Sequence, residues 1–118
     1  YRYLNDRFSV EFPGGEVKKE NNHEAEAEKE LVEETGFNGD LQYAGEFNPY
    51  NGVTNEICKV YIARNLKPSG EFKKDESEEF KILTFSYREI EEMINSNEIY
   101  DGMTLASWAL VKNKLNLN

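Results

Sequence analysis

Three features of this sequence predict an α/β layered domain: strand-type alternation that runs into a glycine turn, β-branched and aromatic segments farther along, and apolar residues at helical spacing among them. Phe8, Val10 and Phe12 alternate with Ser9 and Glu11, the period of a half-buried strand, and Pro13-Gly14-Gly15 stops it. A helix of roughly residues 22–35 follows. Asn21 and Asn22 are its candidate side-chain caps, Asn21 with Glu24 is a candidate capping box, and Gly36 supplies a left-handed stop. Ala27, Leu31 and Val32 give that helix a narrow apolar stripe, while the rest of its surface is charged. Residues 41–47, 57–63 and 80–85 have the composition of strands, separated by the turn-rich Asn48-Pro49-Tyr50-Asn51-Gly52 and Lys67-Pro68-Ser69-Gly70. Residues 87–96 carry Ile90, Met93 and Ile94 at helical spacing behind the candidate cap Ser86. Residues 103–115 repeat the pattern with Leu105, Trp108, Ala109 and Leu115.

At 118 residues the chain fits a single domain with a modest core. The formal charge of -9 speaks against a broad nucleic-acid or anionic-membrane surface, both of which need concentrated Lys and Arg. The single cysteine, Cys58, has no partner for an internal disulfide, and a reducing cytoplasm is the expected compartment. No apolar run approaches the ~20 residues that span a bilayer, and no charged-then-apolar leader precedes the first strand, so a soluble protein is expected. Residue 1 is Tyr and not Met. The expectation is therefore a piece of a longer or processed protein, with the strands that complete its sheet lying upstream.

The strongest chemical signal is Glu30, Glu33 and Glu34, spaced i, i+3, i+4 on the first helix. Side chains so spaced are neighbours, and like charges that close destabilise a helix unless a cation sits between them. A divalent metal is the natural cation. Mg²⁺ prefers carboxylate oxygens and is commonly shared between one or two carboxylates and a substrate's phosphates, which points to phosphate chemistry.

Residues 15–37 closely resemble the Nudix box, G-x5-E-x7-R-E-U-x-E-E-x-G-U with U a bulky aliphatic residue. Both terminal glycines, Gly15 and Gly36, the length between them and the E-U-x-E-E core match. Two positions depart from it: Asn21 stands where the family has its first Glu, and Lys29 where it has Arg. In the family that Arg orients a catalytic Glu through a planar, bidentate ion pair, a fork that Lys cannot reproduce. Reduced or retuned activity is the expected result. Across most of the chain the resemblance extends to the ADP-ribose and ADP-sugar pyrophosphatase branch. Y-R-Y with V-E-F-P-G-G is similar to its entry strand and F-N-P-Y-N-G-V-T-N-E to a variant of its S-P-G-x-[ST]-x-E segment. D-E-S-E-E-F is similar to its acidic loop, and E-I-Y-D-G-M-T-L-A-S-W-A-L to its last helix.

The resemblance implies a Nudix-type α/β/α sandwich with a mixed sheet. It also implies Mg²⁺-dependent hydrolysis, with Mn²⁺ as an alternative, of a nucleoside diphosphate linked to another group such as ADP-ribose. Glu30 and Glu34 match the family's principal metal ligands, Glu33 a neighbouring ligand or ligand through water, and the Gly14 carbonyl a further ligand. In this branch a Glu of the acidic loop takes the proton of the attacking water; Glu76 aligns best with it and Glu78 second. Arg2 aligns with an arginine that reaches substrate phosphate or ribose, and Glu56 with a Glu near the substrate. The branch commonly forms homodimers whose N-terminal regions complete one another's adenine sites.

Blander readings stand beside these: a solvated acidic helix face at Glu30, Glu33 and Glu34, an acidic loop without a catalytic part at residues 75–79, and plain surface residues at Arg2 and Glu56. His23 reads as a surface residue at a helix start, and Trp108 as core in preference to an adenine platform. A nucleoside triphosphate or dinucleotide hydrolase is the alternative enzyme. A catalytically weak nucleotide-binding module is the alternative from another class, motivated by Asn21 and Lys29. A transcriptional regulator is less attractive because no basic helix-turn-helix segment accompanies the box.

Overall fold

A computed structural model describes residues 10–13, 22–70 and 82–115 of the chain. Among them the order is α1 (His23–Thr35), β1 (Phe37–Phe47), β2 (Cys58–Pro68), α2 (Tyr87–Asn95) and α3 (Gly102–Val111), an α/β arrangement. The strands β1 and β2 pair as one antiparallel two-stranded sheet.

The chain divides into two compact units. One comprises Pro13–Glu46 and Lys59–Glu78, the other Tyr1–Phe12, Phe47–Cys58 and Glu79–Asn118. Among the described residues of the unit that carries α1 and the hairpin, those buried are Ala44 of β1 and Val60 and Ile62 of β2. Val60 and Ile62 are two apart and therefore share a face of the sheet. Burying a Val or Ile side chain fully is worth about 1.5–3 kcal/mol, so each of these two contributes on that scale. Polar side chains also link the two strands: Asn65 Nδ2 donates to Asp40 Oδ2 at 2.9 Å and Arg64 Nε to Gln42 Oε1 at 3.3 Å. Asn65 has φ +55°, a left-handed residue within a strand that Asn tolerates better than most. The rings of Tyr43 and Tyr61 meet across the strands at 5.7 Å.

In the other unit, Ile99, Thr104, Trp108 and Val111 are buried. Thr104, Trp108 and Val111 recur at i, i+4, i+7 and so line one face of α3. Tyr87 of α2 lies 5.0 Å from the Trp108 ring and Phe12 6.2 Å, both tilted, the geometry aromatic quadrupoles prefer. The indole Nε1–H donates to Glu91 Oε1 at 3.1 Å, so the buried tryptophan keeps its polar atom satisfied. Trp108 is thus core, as expected. Thr104 Oγ1 donates to the cap Asp101 Oδ2 at 2.8 Å and accepts from the Phe12 N–H at 3.2 Å, which resolves the one buried polar side chain among the described residues.

Several expectations change. The cap of α1 is Asn22, whose side chain accepts from Ala25 N. The third helical position after that cap is Ala25 and not Glu24, so no carboxylate closes a box there. The strand β1 begins at Phe37, directly after the helix stop, and β2 runs on through Pro68. Residues 82–85 form no strand: Ile82, Leu83 and Phe85 are exposed, and β propensity without a paired neighbour does not make a strand. Residues 10–12 likewise carry no ladder, and Phe8 lies outside the described residues. By contrast α2 starts at the predicted cap, with Ser86 and Glu89 closing a reciprocal box, and α3 ends at Val111 in a turn in place of continuing to Leu115.

Candidate active site

The acidic helix is fixed at both ends by polar contacts that its own sequence supplies. At the start, Asn22 Oδ1 accepts from Ala25 N at 3.1 Å, and Glu24 and Glu26 lie in the first turn, where the helix dipole favours negative charge. At the end, Gly36 has φ +79° and its N–H donates to Val32 O at 2.9 Å. The Gly36 carbonyl in turn accepts from Ser69 N at 2.9 Å, which ties the helix stop to the residue just after β2. Thr35 completes the junction, its hydroxyl donating to Leu31 O and accepting from Phe37 N at 3.2 Å as β1 begins. The last turns of α1 are therefore held against the hairpin.

Glu30, Glu33 and Glu34 project from that held segment. They stand on one face of α1, Glu30 and Glu34 half-buried and Glu33 exposed. Their place is unfavourable for a helix by itself: the C-terminal end carries the negative pole of the macrodipole, and the last turn has no basic residue. Lys29 reaches Glu33 at 3.9 Å with the two side chains 61% and 52% exposed, a single long contact in place of a fork. The donor chemistry, three carboxylates collected at a negative helix end, fits a hard divalent cation. Among the described residues no three His, Cys, Asp or Glu side chains are gathered closely enough to hold one unaided. The other expected donors, Gly14 and the acidic-loop carboxylates Glu76 and Glu78, lie outside the described residues, as do Arg2 and Asn21.

Glu56 is exposed in the β1–β2 connection, its N–H donating to Thr54 Oγ1 at 3.1 Å. That connection has an order of its own that the turn-rich composition did not reveal. Asn48 clasps it, accepting from Tyr50 N at 2.8 Å and donating through Nδ2 to Thr54 O at 3.0 Å. The Asn-Pro pair that opens the segment was the available signal, since Asn side chains commonly close turns on their own backbone. The clasp leaves Tyr50 and Val53 exposed at 67% and 86%. Cys58 opens β2 half-buried; burial first and the nearby Glu56 charge second push its thiol upward, away from nucleophilic use at neutral pH. Tyr61 is also raised, mainly by burial and then by Glu24. His23 is the first, half-buried residue of α1. No helix among the described residues is long and apolar enough to cross a membrane.

Comparison with known proteins agrees with the geometry of α1. A model of the NUDIX domain matches residues 2–104. An ADP-ribose pyrophosphatase of Bacillus subtilis (strain 168) is 31% identical over 101 residues, covering 84% of this chain and 55% of that protein. A methanol dehydrogenase activator of Bacillus methanolicus is 29% identical over 107 residues, covering 89% of this chain and 58% of its own length. The chain thus spans about half the length of the curated relatives it matches. With the domain match running from residue 2 through the acidic helix and hairpin into α3, the chain belongs to the NUDIX domain family.

Proposed function

We propose that this protein hydrolyses, with Mg²⁺ or Mn²⁺, the pyrophosphate bond of a nucleoside diphosphate linked to another group, ADP-ribose or a related nucleotide sugar first. The products are a nucleoside monophosphate and a sugar phosphate. The observation that carries the reading is the carboxylate face of α1 at the disfavoured end of a helix pinned by Gly36, in a chain of this family. The name of the Bacillus subtilis relative supports the choice of substrate.

In this reading Glu30 and Glu34 ligate the cation with the Gly14 carbonyl, and Glu33 stands beside them as a ligand, directly or through water. When bound, the cation neutralises phosphate charge and lowers the pKa of a bound water. The chain's own carboxylates do the rest: Glu76, or Glu78 in second place, accepts the proton of the attacking water, while Arg2 holds substrate phosphate or ribose and Glu56 lies near the substrate. Residues 1–118 act as one domain of the α/β/α sandwich type with a mixed sheet, in a cytoplasmic homodimer that needs neither nucleic acid nor a membrane. Purified protein with Mg²⁺ and a panel of nucleotide sugars, nucleoside triphosphates and dinucleotides is the test. Release of nucleoside monophosphate from nucleotide sugars, abolished by chelation and restored by Mg²⁺, is expected. Products from the other classes alone would move the substrate assignment, and no product from any class would sink the enzyme reading.

The single 3.9 Å contact between Lys29 and Glu33 favours a second reading, a nucleotide-binding module with weak catalysis. It predicts nucleotide-sugar binding without appreciable turnover in the wild-type chain and a gain of turnover on combining Asn21→Glu with Lys29→Arg. Absence of any gain would count against it.

A further inference from the structure

Two Asn-Gly dipeptides occur in this chain, Asn38-Gly39 and Asn51-Gly52, and the fold places them in opposite situations. An Asn followed by Gly is chemically exposed because no Cβ on the second residue shields its backbone nitrogen from the Asn side-chain carbon. Whether that nitrogen reacts depends on how freely the backbone turns and on how well solvent base reaches the N–H.

Asn38-Gly39 lies within β1, paired to β2. The paired strand holds the backbone extended, and the hairpin crowds Gly39. A Cβ there would sit 2.7 Å from a Leu66 methyl and 3.0 Å from the Arg64 carbonyl. For the Asn38 side chain to close on the Gly39 nitrogen the ladder must open locally.

Asn51-Gly52 forms the centre of the turn Tyr50–Val53, closed by the Val53 N–H donating to Tyr50 O at 3.0 Å and doubled by Thr54 N to the same carbonyl. Gly52 has φ +95° whereas Asn51 keeps negative φ, the pattern of a type II turn. The closing bond of such a turn does not use the N–H of its third residue. Among the described residues the Gly52 N–H has no acceptor, and a Cβ placed on Gly52 would meet nothing within 4 Å beyond its chain neighbours. Both residues are exposed.

We propose that Asn51 is a site of spontaneous deamidation and isoaspartate formation, and that Asn38 in the β1–β2 hairpin is protected from the same reaction. Solvent base removes the Gly52 amide proton, and the nitrogen attacks Asn51 Cγ. A nitrogen–Cγ bond forms, the Cγ–Nδ2 bond breaks, and ammonia departs with a proton from water, leaving a five-membered succinimide. Water then opens the ring. Attack at Cγ gives an ordinary aspartate, and attack at the Asn51 main-chain carbonyl gives an isoaspartyl linkage. The net change is one water consumed and one ammonia released, with no oxidant or cofactor. Either product adds a negative charge to a chain already at -9, and the isoaspartyl form inserts a methylene into a turn whose ends are clasped by Asn48. The inference is independent of the catalytic reading.

The test uses the native protein, held folded in mildly alkaline buffer, sampled over time, digested and read by peptide mass spectrometry with an isoaspartate-specific methylation assay. The Asn51 peptide is expected to convert at least about tenfold faster than the Asn38 peptide, since the latter must wait for local opening. In a parallel sample unfolded in urea the two rates should converge. Equal rates in the folded protein, an unchanged Asn51 peptide, or a gap that persists in urea would each overturn the proposal.

Discussion

Lys29 meets Glu33 from the N-terminal side of an i,i+4 pair, the weaker of the two orientations on a helix, and both groups are largely exposed. Such a pair contributes about 0–1 kcal/mol. Glu33 is also a neighbour of the like-charged Glu30 at i,i+3. Its removal therefore exchanges a weak attraction for relief of a weak repulsion, and Glu33→Gln is expected to leave stability within ~0.5 kcal/mol of wild type. If the cluster holds a catalytic cation, the same substitution lowers kcat by at least about 100-fold, the scale for losing one well-placed electrostatic partner. Urea unfolding and nucleotide-sugar hydrolysis on one preparation separate the two effects. Parallel loss of stability and activity would instead make Glu33 a structural residue.

The elements differ in how their ends are secured, and this is open to measurement. Gly36 adopts φ +79° while both its N–H and carbonyl are bonded, one to the helix and one to Ser69. Gly36→Ala is expected to destabilise by about 1 kcal/mol, and Gly36→Asn by less, because Asn enters the left-handed region more easily. A shift in urea midpoint that is absent, or larger for Asn, would contradict that account. In α2 the hydrogen bond from the Ser86 backbone, then that of its side chain, holds the Glu89 carboxyl below its ordinary value against a small opposing desolvation. Folding therefore releases protons in that window. The box stabilises the helix above the ordinary carboxylate range near pH 4.5 and loses this contribution as pH falls through the lower folded value. Glu89→Gln keeps a box-forming amide without the charge, so its stability gap from wild type should shrink on acidification; a gap constant with pH, followed by far-UV circular dichroism, would refute this.

For the molecule as a whole, what could be read ahead of the fold was what nearby residues decide. The Ser86 cap and the Gly36 stop are each encoded within a few positions; α2 begins where Ser86 puts it, and α3 begins within one residue of where its apolar spacing puts it. The Asp101 cap of α3 and the Glu89 half of the Ser86 box emerged only with the structure. The face shared by Glu30, Glu33 and Glu34 follows from spacing alone. The segment at residues 82–85 failed as a strand because pairing depends on a distant partner, which composition does not disclose. The Gly36–Ser69 tie was hidden for the same reason, joining positions 33 residues apart through the hairpin between them. Burial of Trp108 has a further, optical consequence. It is the chain's single tryptophan, and its environment of Phe12, Tyr87 and Glu91 belongs wholly to the unit with α2 and α3. Its emission therefore reports on the packing around those residues, whereas far-UV circular dichroism also sees α1 and the hairpin. Coincident thermal midpoints by the two signals are expected of one cooperative domain. An emission change displaced from the dichroism curve would mean that the carboxylate-bearing helix melts on its own schedule, and the indole would then time the survival of the rest of the fold after that helix is lost.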